Sequence, residues 1–268
     1  MSYRHIEIGG VSYVGSTTLN LILGSLPEVQ AIGESHWLTD IHQRLMSENG
    51  IKPEAVGIID QEGYEKGFQQ CQLCGHSCVH YTREMRKTLK KGIKENWHTK
   101  LAQAFDARVI VTSDKHPAII SSLDRKLLNA TIVMFKHPFN SWVSYSKRNE
   151  TRLSWMRQYA EVYNYFLNNY KNQGPLLFLS WENFLQRPEE TLEKICSTLR
   201  LEFDSSALEY WKKDHHYIGG NYNLYERDHD TLPLRLMDGD SEQHKKFLDD
   251  LQLGVIKVIY QQMLSRSL

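Results

Sequence analysis

Residues 9–23 read GGVSYVGSTTLNLIL, and their order is that of an anion site. Gly15 lets the backbone turn tightly and approach an oxyanion. Ser16, Thr17 and Thr18 then add hydroxyls to the unpaired backbone N–H groups of a helix start. The same residues also make an ordinary helix cap, so partners decide the reading. A second cation–hydroxyl pair lies in KHPFNSWVS, where Lys136 and Ser144 stand eight residues apart (144 − 136). About two helical turns from Pro138 bring Ser144 to the side of the strand-end lysine, a geometry suited to a second phosphate. Lys115, in SDKHP, is a cation at a strand end that suits charge developing on a transferring group. In GESHW, Glu34 is the candidate general base and His36 its rival, since either accepts a proton near neutral pH. If that segment is extended the two side chains share a face; in a helical turn they diverge. Gly219, Gly220 and Asn221, in HHYIGGNYN, form a candidate nucleotide-cradling turn, with Arg227 beyond it.

The segment CQLCGHSCVH brings three of the chain's four cysteines together. Cys-x-x-Cys-Gly is a zinc-knuckle turn, because glycine permits close backbone approach to the thiolates. Cys71, Cys74 and Cys78 need a fourth ligand, which His80 or His76 would supply. Free thiols or a local disulfide are the alternatives. Such an ion would fold the segment, not catalyse.

These residues need a scaffold that presents loops at one edge. Short apolar runs predict strands at about 4–9, 108–113, 130–135 and 175–180. Helical patterns fall at 17–25, 138–148, 151–172, 187–200 and 243–265. A stripe of Met85, Leu89, Ile93, Trp97, Leu101 and Phe105 predicts a long core-facing helix. Strands alternating with helices predict an α/β fold, a parallel sheet flanked by helices. Residues 1–268 read as one domain with a cysteine-containing insertion at about 40–82. The stretch 214–242 reads as a long functional loop.

Charge narrows the function. The 32 basic and 32 acidic side chains cancel, which disfavours nucleic acid as a partner but permits a local basic pocket. No apolar run reaches the ~18 residues of a membrane span, and the N-terminus has no signal-peptide pattern, so a cytoplasmic protein is expected. Oligomeric state is not readable.

Taken in order along the chain, the motifs resemble those of the sulfotransferases that use 3′-phosphoadenosine 5′-phosphosulfate (PAPS). In that family an Arg-Ser-Gly-(Ser/Thr)-Thr loop after the first strand grips the 5′-phosphosulfate. YVGSTT stands in its place, with Tyr13 and Val14 at the first two positions. An Arg-Asp-Pro with a serine eight residues on grips the 3′-phosphate; KHPFNSWVS has that spacing, with Lys136 for the arginine. AIGESHWL, VIVTSDKHP, SWENFLQRPEETLEKI and HHYIGGNYN match further family segments. The resemblance implies a P-loop-like sulfotransferase fold and in-line sulfuryl transfer from PAPS to a hydroxyl or amine, leaving adenosine 3′,5′-bisphosphate (PAP). It assigns Tyr13–Thr18, Lys136, Ser144 and Gly219–Asn221 to the nucleotide, and Glu34 and Lys115 to the chemistry, with His36, the rival base on its own chemistry, lining the acceptor pocket. Aromatic residues near Trp37, Trp142 and Tyr145 suit a small, apolar or ring-bearing acceptor. The alternatives are a P-loop nucleotide kinase, against which the missing Gly-Lys-Ser/Thr counts, and an inactive nucleotide-binding module of the same fold.

Overall fold

The computed structural model describes residues 3–38, 70–75, 77–85, 87, 97–115, 117–122, 128–171, 174–220 and 241–268. Five parallel strands, β1 Arg4–Gly9, β2 Val29–Gly33, β3 Val109–Lys115, β4 Leu128–Phe135 and β5 Leu176–Ser180, form one sheet in the order β2-β3-β1-β4-β5. Four of them are the strands expected from the sequence. The fifth, β2, is a five-residue edge strand, VQAIG, whose one sheet partner is β3. Its single long aliphatic pair gives no run that periodicity can detect.

Nine helices among the described residues flank the sheet: α1 Ser16–Leu23, α2 Trp97–Ala104, α3 Pro117–Ser122, α4 Pro138–Ser146, α5 Arg152–Asn164, α6 Trp181–Gln186, α7 Pro188–Leu199, α8 Ser241–Leu248 and α9 Gly254–Leu264. In α7 the buried residues are Thr191, Leu192, Ile195, Cys196 and Leu199, a face of helical period; Pro188 opens the helix and Glu189 and Glu190 face its positive end. The expected helix 151–172 ends early, as α5 runs into a π-helical turn at Tyr165–Asn169. The expected helix 243–265 is two, α8 and α9, separated by a turn at Leu251–Leu253. Of the long apolar stripe, α2 carries the end, and Met85, Leu101 and Phe105 pack in one cluster; Leu89 and Ile93 lie outside the described residues. So does most of the expected insertion.

After β1 the chain moves past β3 to β2; after β3 it moves past β1 to β4. Neighbouring strands β1 and β3 therefore send their following loops in opposite directions. In a right-handed doubly wound sheet this opens a crevice at their carboxyl ends. Gly15–Thr18, Glu34, Lys115 and the Gly219–Gly220 turn converge there.

Candidate functional site

The loop between β1 and α1 is held in a shape few residues adopt. Gly15 sits in the left-handed region at φ 98°, directly before α1. A Cβ there would come within 2.9 Å of the Trp181 indole, so Gly15 is required twice, by conformation and by space. No side chain caps α1, and Ser16, Thr17 and Thr18 are buried at its N-terminus. The N–H groups of one helix start, without a side-chain cap, and three hydroxyls thus lie together, an arrangement suited to an oxyanion. Tyr13 is also left-handed, at φ 61°, with its ring exposed under the Arg148 guanidinium 5.3 Å away. Val14 is buried in the core, which leaves only its backbone for any ligand.

Buried tyrosines support this loop from below. The Ser12 N–H donates to Tyr145 Oη at 3.1 Å, and Tyr145 donates to Gln158. Tyr163 donates to the Met134 carbonyl at 2.9 Å and Tyr159 to that of Lys136 at 3.3 Å. Tyr159 and Tyr163, four apart on α5, meet edge to face. At the end of β4, Lys136 Nζ donates to the Tyr13 carbonyl at 2.6 Å, clamping the loop to the strand. Burial lowers the Lys136 ammonium to about 8; Glu182 pulls it up and Lys147 down. Glu182, from α6, accepts from the His137 N–H at 2.9 Å and from Asn140 at 2.8 Å, so the ends of β4 and β5 are tied. Ser144 is half-buried on α4 and donates to the Asn140 carbonyl at 2.9 Å.

The end of β3 is aimed by a bulge. Glu7 pairs with Thr112 but Gly9 pairs with Lys115, so β3 carries one residue more than β1 over this stretch. The Glu7 carboxyl fills the irregularity. It accepts from Thr112, from the Asp114 N–H at 2.7 Å and from the Lys115 backbone. Burial, with the Asp114 charge adding to it, holds Glu7 well above the usual carboxylate range. Lys115 consequently leaves the strand at φ 60°, and its ammonium pairs with Glu34 Oε1. The Trp37 indole donates to Glu34 Oε2 at 2.7 Å. Burial alone would raise the Glu34 carboxyl, but Lys115, His36 and the Trp37 bond outweigh it, and the net shift is downward.

The segment after Glu34 coils into a single 3₁₀ turn, Ser35–Leu38. Glu34 and His36 therefore take different partners. His36 Nδ1 donates to Asp114 Oδ1 at 2.8 Å, and its backbone N–H donates to the same oxygen at 2.9 Å. Ser35 donates to Asp114 Oδ2 at 2.7 Å. Asp114 is thus the anchor of the turn that carries both candidate bases.

Residues 217–220 close the far wall by adding to β2. Ile218 bridges Gly33 in parallel, with Ile218 N–H to Ile32 O at 2.9 Å and Glu34 N–H to Ile218 O at 2.8 Å. Gly219 lies so near Glu34 that a Cβ would come within 2.9 Å of its carboxylate; one on Gly220 would come within 3.0 Å of Thr17. Tyr217 Oη meets Ser113 Oγ at 3.3 Å and also bonds Thr17. The anion helix, the Glu34–Lys115 pair and the glycine turn are therefore one contiguous assembly. Asn221 and Arg227 lie outside the described residues.

Two sequence expectations change. The nitrogen that joins Cys71, Cys74 and Cys78 is that of His216, not His80. The His80 ring instead stacks on Phe105 at 4.5 Å with Nδ1 3.3 Å from the Ala104 carbonyl. His76 lies outside the described residues. Of the aromatics expected along an acceptor pocket, Trp37 stands beside Glu34. Tyr145 is buried under the anion loop and Trp142 packs on Trp155.

A parallel sheet of this order, with a glycine-turned loop leading from its first strand into a helix, defines the P-loop-like class. Within it the chain belongs to the sulfotransferase family, whose model matches residues 6–205. The sulfotransferase domain of the Synechococcus PCC 7002 olefin synthase superimposes with a TM-score of 0.58 at 18% identity, over 96% of this chain and 93% of that one. The sulfotransferase domain from the curacin biosynthetic pathway superimposes with a TM-score of 0.56 at 13% identity, over 94% and 98%. No curated protein matches the chain by sequence. Among the described residues no helix is long and apolar enough to cross a membrane.

Proposed function

We propose that this transferase moves the sulfuryl group of PAPS to a hydroxyl or amine of a small acceptor, with PAP as the second product. The observation that carries the reading is the meeting of the left-handed Gly15 start of α1 with the Glu34–Lys115 pair and the Gly219–Gly220 turn. The 5′-phosphosulfate would sit on the N–H groups and hydroxyls of Gly15–Thr18. Lys136 and Ser144 would take the 3′-phosphate, Lys136 exchanging the Tyr13 carbonyl for it.

Sulfuryl transfer resembles phosphoryl transfer: a loose in-line displacement with charge spread over equatorial oxygens. The acceptor oxygen or nitrogen bonds to sulfur, the sulfur–oxygen bond to the 5′-phosphate breaks, and the acceptor proton goes to a base. Glu34 is that base in this reading. Its carboxylate is held down largely by Lys115. A bound sulfuryl group draws Lys115 toward its own oxygens, and Glu34 becomes more basic as the acceptor arrives. His36, tied to Asp114, orients the acceptor beside Trp37. The cytosol expected from the sequence would keep the four cysteines, none of them in a disulfide here, reduced.

Calorimetry with PAP in the absence of Mg²⁺ tests the donor, and transfer from radiolabelled PAPS to ring-bearing alcohols tests the chemistry. Binding without metal and labelled product are expected. No binding at millimolar PAP overturns the donor assignment. A strict Mg²⁺ requirement with ATP preferred makes the protein a nucleotide kinase. PAP binding with no turnover of PAPS on any acceptor makes it a binding module.

A further inference from the structure

Beyond the transferase site, the structure gathers three thiols and an imidazole from distant parts of the chain. Cys71, Cys74, Cys78 and His216 offer ligand atoms that all lie within 4.8 Å of one another. His216 Nδ1 is 3.2 Å from Cys74 Sγ and 3.4 Å from Cys78 Sγ. In a tetrahedral zinc site, Zn–S of about 2.3 Å and Zn–N of about 2.0–2.1 Å put sulfur and nitrogen about 3.5 Å apart. The backbone is already folded as a thiolate knuckle. Gly75 turns at φ 60° with its N–H on the Cys71 carbonyl at 2.9 Å. The Cys74 N–H points at Cys71 Sγ and the Tyr81 N–H at Cys78 Sγ, each at 3.4 Å. Cys71 and Cys78 are buried, packed with Tyr81, Ile218 and Ile32. Three soft sulfurs and one imidazole, with no hard oxygen among the four, select zinc over magnesium or calcium.

The position of His216 gives the cluster a consequence. It immediately precedes Tyr217, Ile218, Gly219 and Gly220, the residues that meet Thr17, Ser113 and Glu34. The knuckle is fastened to the same strand a second time, by Gln72 N–H to Tyr217 O at 2.8 Å. We propose that Cys71, Cys74, Cys78 and His216 hold a structural zinc ion, which staples the 71–81 segment to residues 216–218 and so fixes the Gly219–Gly220 wall of the donor site. The metal part stands on the cluster alone; the coupling to the donor rests on the reading under Proposed function. The ion fills all four positions with protein ligands, so it is closed to substrate and acts by holding the turn.

The test is elemental analysis of the full chain purified under reducing conditions without chelator, followed by replacement of the metal with cobalt(II). About one zinc per chain is expected for a closed four-ligand site, and the cobalt form should show thiolate charge-transfer and tetrahedral d–d bands. His216→Ala and Cys74→Ser should lose the metal, while His80→Ala should keep it. The cobalt spectrum needs no variant, so misfolding of a mutant does not blunt the test. No bound metal together with no cobalt spectrum overturns the site. Metal kept by His216→Ala but lost by His80→Ala overturns the ligand assignment. For the coupling, PAP affinity is measured on chelated protein whose circular dichroism remains native. It should fall about tenfold for a turn left in its binding geometry a tenth of the time. Unchanged affinity overturns the coupling and keeps the metal. Bound zinc with no PAP binding in the untreated protein overturns the donor reading instead.

Discussion

The two walls of the crevice are built by different means. The proposed donor wall, from Gly15 to Thr18 with Lys136, is a backbone device. It depends on a left-handed glycine, a helix start without a side-chain cap and a lysine already occupied by a carbonyl, all braced by buried tyrosines. The opposite wall is a side-chain device. Glu34, Lys115, Asp114 and His36 hold one another by ion pairs and hydrogen bonds across strands far apart in sequence. Backbone devices are rigid and pay little when one side chain changes. Side-chain devices shift their proton affinities whenever a partner moves, which is what acid–base chemistry requires.

That contrast is easiest to break at Glu34. Glu34→Gln should lower turnover by ~10²-fold or more with PAP affinity nearly unchanged, as expected for loss of a general base. His36→Ala should act mainly on acceptor KM. Turnover and PAP affinity measured on both variants decide it. A fully active Glu34→Gln beside a dead His36→Ala reverses the two roles, and PAP binding lost in Glu34→Gln moves that residue to the donor wall.

On the donor wall, Lys136→Met should cost about 1.5–3 kcal/mol of PAP affinity, the usual worth of a charged hydrogen bond. Adenosine 5′-phosphosulfate, which lacks the 3′-phosphate, should bind both proteins alike. Equal losses for the two ligands would mean that Lys136 serves the loop through Tyr13 and not the phosphate.

A smaller effect follows from pH. Lys136 titrates at about 8 in the protein alone, and a phosphate beside it raises that value. The complex therefore keeps a proton that the free protein loses above about 8. PAP affinity should be level below pH 8 and decline above it, with proton uptake on binding at pH 9 visible in calorimetry across two buffers. Lys136→Met should abolish the uptake. A wild-type profile that is flat from pH 7 to 9 would remove Lys136 from the site.

The smallest expected change is structural. Tyr163→Phe removes the hydrogen bond to the Met134 carbonyl and should cost about 0.5–1.5 kcal/mol in denaturant unfolding, with Glu34-dependent turnover intact. A turnover loss larger than the stability loss would show the donor wall to be less rigid than its bracing implies.

Local chemistry made the tight turn at Gly15 readable in advance. A glycine followed by three hydroxyl residues at a strand–helix junction limits the backbone to a few conformations, so the left-handed entry into α1 follows from GSTT without a fold, and the oxyanion is proposed on that geometry. The placement of Lys136 just past a strand end and of Ser144 on the helix that follows was readable for the same reason. The alternation of apolar runs fixed a parallel α/β sheet, because buried strands and amphipathic helices differ in period. Tertiary structure decided everything that depends on contact between distant segments. Glu7 and Asp114 look like unremarkable acids in EIG and SDK; pairing β1 with β3 across a bulge makes one a backbone cap and the other the anchor of His36. Tyr217 became a link between Thr17 and Ser113 only when residues 217–218 joined the sheet edge. The same strand brought His216 to the three cysteines in place of the nearer His80, whose ring Phe105 had already taken. Sequence spacing specifies which groups lie within a few residues of a turn. Which of two histidines faces a thiol is decided by the packing of surfaces more than a hundred residues apart, since that packing fixes where each ring can point.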